Sequence, residues 1–174
     1  MLNEQELKDT IRSIPDYPIE GVLFRDITTL VKNPEAYHDL ITTIADQLRE
    51  LNVDIVLGPE ARGFVIGSAV AYALGAGFVL ARKPGKLPCE VYSINYGLEY
   101  GSDRLEIHKD AVQPGQRVAI VDDLLATGGT ARAAVDLVRE VGGEVVAAAF
   151  AIELSDLGGR AKLGDCPVIA AMTY

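Results

Sequence analysis

The stretch Val118-Ala119-Ile120-Val121-Asp122-Asp123-Leu124-Leu125-Ala126-Thr127-Gly128-Gly129-Thr130 constrains this chain more than any other. A short, wholly apolar run stops at two adjacent carboxylates, and a loop with two glycines then opens a helix-periodic segment, Ala131 to Val141, ended by Gly142-Gly143. An apolar run of this kind suits a strand buried on both faces, as in a parallel sheet covered by helices. The alternation recurs along the chain: Val53 to Leu57 reads as a strand, Gly63 to Leu74 as a helix, and Gly77 to Ala81, Val145 to Ile152 and Val168 to Met172 as strands. Before them, Asn33-Pro34 reads as a helix N-cap with Pro at the first helical position, followed by Tyr37, Leu40, Ile41, Ile44 and Leu48 at helical spacing. The expected fold is a single α/β domain over 1–174, an open, mainly parallel sheet flanked by helices with its ligand at the carboxyl ends of the strands.

That ligand end has a definite chemistry. Backbone N–H groups of Ala126 to Thr130 can converge on a phosphate where no Cβ obstructs them, which Gly128 and Gly129 permit, and the hydroxyls of Thr127 and Thr130 add donors. Thr130 reads as the N-cap of the helix whose positive end completes the cradle. Carboxylates beside an anion site need neutral hydroxyls or a ligand-borne cation as partners, so Asp122 and Asp123 next to a phosphate cradle fit a sugar phosphate. An Asp-Asp pair also marks many solvated strand ends, and Thr-Gly-Gly-Thr could be a turn with a cap. Other phosphate motifs fail: Gly58 to Gly63 has the frame of a Walker A loop but is followed by Phe64-Val65, and no GxGxxG follows a strand.

Sixteen Lys and Arg against 25 Asp and Glu give a net charge of -9, which argues against a nucleic-acid partner or an anionic membrane surface. An anion must therefore be held by a local site. Only two cysteines, Cys89 and Cys166, and two histidines are present, too few for a zinc site or a disulfide framework, and a reducing cytoplasm is the expected setting. The N-terminal MLNEQELKDTIRSIP lacks the apolar core of a secretory signal. The uncharged run from Gly63 to Ala81 is long enough to be tested as a membrane span, but Gly75-Ala76-Gly77 breaks it, so it reads as a buried helix and strand. Between Lys83 and Lys109 the alternation fails, and an excursion of that length reads as a hairpin or flap. Gly97 and Gly101 bracket its Leu98-Glu99-Tyr100 tip.

The stretch from Val118 to Thr130 resembles the 5-phosphoribosyl-1-pyrophosphate signature of the type I phosphoribosyltransferases. Three further segments, Gly21-Val22-Leu23-Phe24-Arg25-Asp26-Ile27, Arg82-Lys83-Pro84-Gly85-Lys86-Leu87-Pro88 and Leu98-Glu99-Tyr100-Gly101, are similar to the adenine-specific members of that family, and the likeness covers essentially the whole chain. The resemblance implies transfer of ribose 5-phosphate from the donor to N9 of adenine, giving AMP and pyrophosphate, with Mg²⁺ held mainly by the substrate and no direct protein ligand for the metal. It implies a small base-binding hood at 1–33, a flap at 83–109 and a homodimer. By matching positions, Asp122 and Asp123 hold the ribose hydroxyls and Ala126, Thr127, Gly128, Gly129 and Thr130 the 5-phosphate. Arg62, Arg82, Lys83 and Lys86 meet the pyrophosphate, Arg82 reaching the neighbouring subunit's site. Phe24 stacks on adenine, backbone groups of Leu23 and Arg25 read its edge, and Leu154 closes the opposite face. Glu99 is the candidate catalytic group, as a base toward adenine or as a charge favouring a cationic ribose. Within this family hypoxanthine or guanine is the competing base. A purine-sensing regulator of the same fold would need a DNA-binding extension, which the composition gives no sign of.

Overall fold

The computed structural model describes residues 1–98 and 101–174, and it opens with elements whose sequence periodicity is weak. α1 (Glu4–Asp9) is closed by a capping box: the Asn3 side chain accepts from the Glu6 N–H while the Glu6 carboxylate accepts from the Asn3 N–H. β1 (Arg12–Pro15) and β2 (Leu23–Asp26) pair antiparallel, Arg12 opposite Asp26 and Ile14 opposite Phe24. The Arg12 guanidinium grips the Asp26 carboxylate, and hydrogen bonds from Thr28 and then Arg12 hold that group down at about 2. Asp26 thus stays ionised in any ordinary buffer and pins the hairpin to α2 (Thr28–Val31). This hairpin occupies the segment in which the hood was expected.

α3 (Pro34–Arg49) begins as the sequence predicts, with the Asn33 side chain accepting from Glu35 N–H at 3.1 Å and Ala36 N–H at 3.3 Å, and Pro34 in the first turn. Its Leu40, Ile41, Ile44 and Leu48 are buried, while Tyr37 is half-buried and donates its hydroxyl to the Val65 carbonyl at 2.7 Å. β3 (Ile55–Pro59), α4 (Arg62–Leu74) and β4 (Gly77–Ala81) follow. The uncharged run from Gly63 to Ala81 therefore divides into a helix and a strand, and no described helix is long and apolar enough to cross a membrane. β5 (Val91–Leu98) and β6 (Gly101–His108) form the expected hairpin in the excursion. Arg82, just past β4, pairs with Glu106 of β6 through two backbone hydrogen bonds of 2.8 Å, so the hairpin is stitched to the sheet edge. The chain continues through β7 (Arg117–Leu125), α5 (Gly129–Glu140), β8 (Glu144–Glu153), a 3-10 turn at Ser155–Leu157, α6 (Gly159–Lys162) and β9 (Val168–Thr173).

Five of these strands form one parallel sheet in the order β4-β3-β7-β8-β9. One core cluster joins α3 and α4 to one side, with Leu40, Ile44, Ile66 and Val70; the other joins α5 to the opposite side, with Ala134, Leu137, Val138 and Phe150. The order reverses between β3 and β7, the two strands that start crossovers in opposite directions. Their adjacent carboxyl ends leave the crevice in which ligands of open α/β sheets bind.

Two sequence expectations are corrected. β7 does not stop at the carboxylates but runs through them to Leu125, because Asp122, Leu124 and Leu125 still pair with Phe150, Ile152 and Glu153 of β8. Polar side chains at a strand's end do not forfeit its backbone pairing when a neighbouring strand is available. Thr130 is not the N-cap of α5 either: Gly128, at φ +80°, takes that position, which moves the helix start forward and puts Thr130 inside the first turn.

Candidate active site

The crevice is a cavity of about 320 Å³ lined by Glu60, Ala61 and Arg62 from the end of β3 and the start of α4, and by residues from Asp122 to Ala131. Asp123 is buried and Asp122 half-buried at its floor. The Asp122 carboxylate accepts the Asp123 N–H at 2.8 Å, and Arg62 Nε lies 2.7 Å from Asp123 Oδ2. Burial raises both acids: for Asp122 the Asp123 charge adds to it and carries the group well above the usual carboxylate range, while for Asp123 the Arg62 guanidinium opposes it. The pair behaves as one unit that resists full ionisation until something positive, or several hydroxyl donors, arrives. Gly63, next to Arg62, leaves room for the Asp122 carboxylate: a Cβ there would lie 2.8 Å from Asp122 Oδ1.

The loop after Leu125 forms the anion end. The first turn of α5 closes with Arg132 N–H donating to the Gly128 carbonyl at 2.9 Å, so the N–H groups of Gly129, Thr130 and Ala131 precede the helical ladder. Their shape is braced by a part of the chain distant in sequence. Gly159, at the start of α6, presses against the loop: a Cβ on Gly159 would lie 2.2 Å from the Ala126 carbonyl oxygen, and one on Gly128 would lie 2.6 Å from the Gly159 carbonyl oxygen. Two glycines before a short helix were the available signal, but a glycine pair does not name what it touches. The flap also reaches this end. Tyr96 Oη lies 3.5 Å from Thr130 Oγ1 and 3.3 Å from Asp103 Oδ2, and Lys83 Nζ lies 3.1 Å from the same Asp103 oxygen. Burial raises the Tyr96 phenol, which keeps it a donor.

The basic segment is divided. Arg82 Nε and Lys86 Nζ both approach Glu60, at 2.8 Å to Oε2 and 2.8 Å to Oε1, and so sit at the cavity's edge. Lys83 turns to the flap instead. In the hairpin at the N-terminal end, strand alternation sends Phe24 one way and Leu23 and Arg25 the other. The Phe24 ring packs edge-on to Tyr17 with centroids 5.1 Å apart and has the Arg62 guanidinium 5.6 Å from its centroid, which places it above the crevice. Leu23, Arg25 and Leu154 share a neighbouring cavity of about 430 Å³ with Tyr174, whose ring lies 3.8 Å from the Arg25 guanidinium. Leu154 is tied to the site strand by its N–H, which donates to the Leu125 carbonyl at 2.9 Å. Glu99 and Tyr100 lie outside the described residues.

A parallel sheet of this order, with a carboxylate pair and a glycine-built anion cradle at its switch point, is the arrangement of the type I phosphoribosyltransferases. The chain belongs to that family: the model described as a phosphoribosyl transferase domain matches residues 26–163. Its full-length relatives are more specific. It is 59% identical over 169 residues to an adenine phosphoribosyltransferase of Clostridium botulinum, covering 97% of this chain and 98% of the relative. The crystal structure of adenine phosphoribosyltransferase from Thermoanaerobacter pseudethanolicus superposes with a TM-score of 0.96 at 50% identity, over 99% of this chain and 100% of that one. The Saccharomyces cerevisiae enzyme, solved in complex with an imino-altritol bisphosphate and adenine, matches with a TM-score of 0.92 at 42% identity over 97% of each chain.

Proposed function

We propose that the protein transfers the 5-phosphoribosyl group of 5-phosphoribosyl-1-pyrophosphate to N9 of adenine, giving AMP and pyrophosphate. The observation that carries this reading is the Asp122–Asp123 pair set between the cradle on one side and Arg62 on the other, in a crevice beneath the Phe24 hairpin. Two carboxylates accept the paired ribose hydroxyls, the N–H groups at the start of α5 take the 5-phosphate with Thr127 and Thr130, and Arg62 faces the pyrophosphate. N9 attacks the anomeric carbon as its bond to pyrophosphate oxygen breaks; the leaving group keeps the electron pair and adenine gives up a proton. Positive charge on the ribose is greatest midway, so the ionised pair beneath it stabilises that stage most. Phe24 offers a stacking face and the backbone at Leu23 and Arg25 the polar edge, with Leu154 opposite, and Glu99 is the group assigned to the proton or to the ribose charge. In this reading Mg²⁺ is held mainly by the substrate's oxygens, and Asp122 and Asp123 are left to the ribose hydroxyls. Mg²⁺ bound to the donor would neutralise the departing pyrophosphate. The cytoplasm is the compartment that suits two free thiols, Cys89 and Cys166.

The deciding experiment incubates the protein with Mg²⁺, the donor and each purine base. AMP formation with adenine, and little nucleotide from hypoxanthine or guanine, is the expected result; no nucleotide, or a preference for a 6-oxopurine, would overturn the reading. The protein is proposed to act as a homodimer in which Arg82 extends to the neighbouring site. Mixing inactive Arg82→Ala subunits with inactive Asp123→Ala subunits should then regain activity, since each mixed dimer carries one intact set. Activity no higher than that of the separate variants, in a mixture shown to exchange subunits, would sink the shared site.

A further inference from the structure

Glu60 borders the crevice with a side chain only 7% exposed, and the transfer reaction as described gives it no task. Its backbone is fixed by the N–H, which donates to the Ala81 carbonyl at 2.9 Å. Both oxygens of its carboxylate are engaged by cations: Oε2 accepts from Arg82 Nε and Oε1 from Lys86 Nζ, each at 2.8 Å. Burial pushes the group up, but the hydrogen bonds from Lys86 and Arg82 outweigh it and hold the carboxyl below its usual range, so Glu60 is an anion at neutral pH. One internal anion therefore occupies two of the cations assigned to the pyrophosphate. An arriving pyrophosphate must draw Arg82 and Lys86 away from Glu60 or share them with it across a like-charge contact.

We propose that Glu60 is an exchangeable counter-anion: it holds Arg82 and Lys86 in place while the site is empty, yields them to the pyrophosphate group, and reclaims them as pyrophosphate leaves. Glu60 is thus a positioning residue that weakens the grip on one product. It touches no reacting atom. The same exchange operates whichever subunit's site Arg82 enters. The inference rests on the reading above that Arg82 and Lys86 serve the pyrophosphate.

The test measures magnesium pyrophosphate and ribose 5-phosphate binding to the whole enzyme by calorimetry. Glu60→Gln keeps the shape and removes the charge, and should tighten pyrophosphate binding by about tenfold while ribose 5-phosphate, held at the far end by the cradle, binds as before. Glu60→Asp, which keeps the charge, should return toward wild-type affinity. Pyrophosphate binding that is unchanged or weaker in Glu60→Gln would overturn the proposal. So would loss of both ligands in both variants, which would make Glu60 a structural pin. The underlying assignment is checked separately: if Arg82→Ala and Lys86→Ala leave pyrophosphate affinity untouched in the wild-type background, the cations do not serve pyrophosphate and that reading fails, whatever Glu60 does.

Discussion

Asp122→Asn and Asp123→Asn each lose donor affinity and turnover by about tenfold to a hundredfold, the size expected when a charge-assisted hydrogen bond is removed, and both variants melt at a higher temperature than the wild type near pH 8. The two effects share a cause. Both acids are raised in the folded protein, chiefly by burial and for Asp122 also by its neighbour's charge. A carboxyl raised on folding binds its proton more tightly in the native state than in the unfolded one. Its ionisation therefore costs stability, and the cost begins as pH rises above the unfolded value of about 4 and grows until the native pair itself has titrated. Asparagine has no proton to lose, so its stability gain should be absent at acid pH and largest at alkaline pH. Melting curves from pH 4 to pH 8 with donor binding measured alongside provide the check. A lower melting temperature, or donor affinity equal to the wild type in both variants, would contradict the assignment of this pair as a strained anion held for the ribose.

The second large effect is expected at Gly159, which is assigned no contact with the substrate but packs directly against the cradle. A methyl group there would lie 2.2 Å from the Ala126 carbonyl oxygen, and both sides of that contact are backbone, so no flexible chain end can yield. The gap between α6 and the cradle must open. Overpacking of this kind costs about 1–3 kcal/mol, and a displacement of about an ångström in a binding loop is enough to cost on the order of a hundredfold in rate. Gly159→Ala should accordingly lose turnover and ribose 5-phosphate affinity together while pyrophosphate affinity falls much less. Gly158→Ala provides the contrast. It carries φ +66° with nothing within 4 Å of the added carbon, so it bears only the backbone penalty of about 1–2 kcal/mol, and its ligand affinities should stay near the wild type. Equal behaviour of the two variants would show that the contact with Ala126 does not shape the cradle.

The comparison between Gly128 and Gly159 also marks where sequence reasoning ends. Gly128 announced itself, since it stands in a loop directly after an apolar strand and before a helix. Gly159 lies thirty-one positions further along, and its meaning resides wholly in a tertiary contact. The parallel strands were legible because both their faces are covered, which leaves an apolar run; β7 was read short because Asp122 and Asp123 break that run without breaking the pairing with β8. α3 was legible down to its cap because Asn33 and Pro34 encode it locally. β1 and β2 were not read as strands, since Arg12-Ser13-Ile14-Pro15 is mostly exposed and shows no clear alternation. Thr130 was misplaced because hydroxyl side chains favour N-caps in general, whereas here a glycine at positive φ starts the helix two residues earlier. Arg82 and Lys86 read as cations for the ligand, but their common partner Glu60 is visible only where the loops after β3 and β4 stand side by side.

The backbone stitch between Arg82 and Glu106 gives the flap a fulcrum. Glu106 also accepts the Gly85 N–H through its carboxylate at 3.1 Å, so strand β6 and the loop that carries Arg82 and Lys86 are fastened twice at one point. A lever mounted this way cannot swing without transmitting torque to whatever shares its pivot. The loop that carries Arg82 and Lys86, the cations assigned here to the leaving group, and the hairpin strand β6 are therefore parts of one linkage.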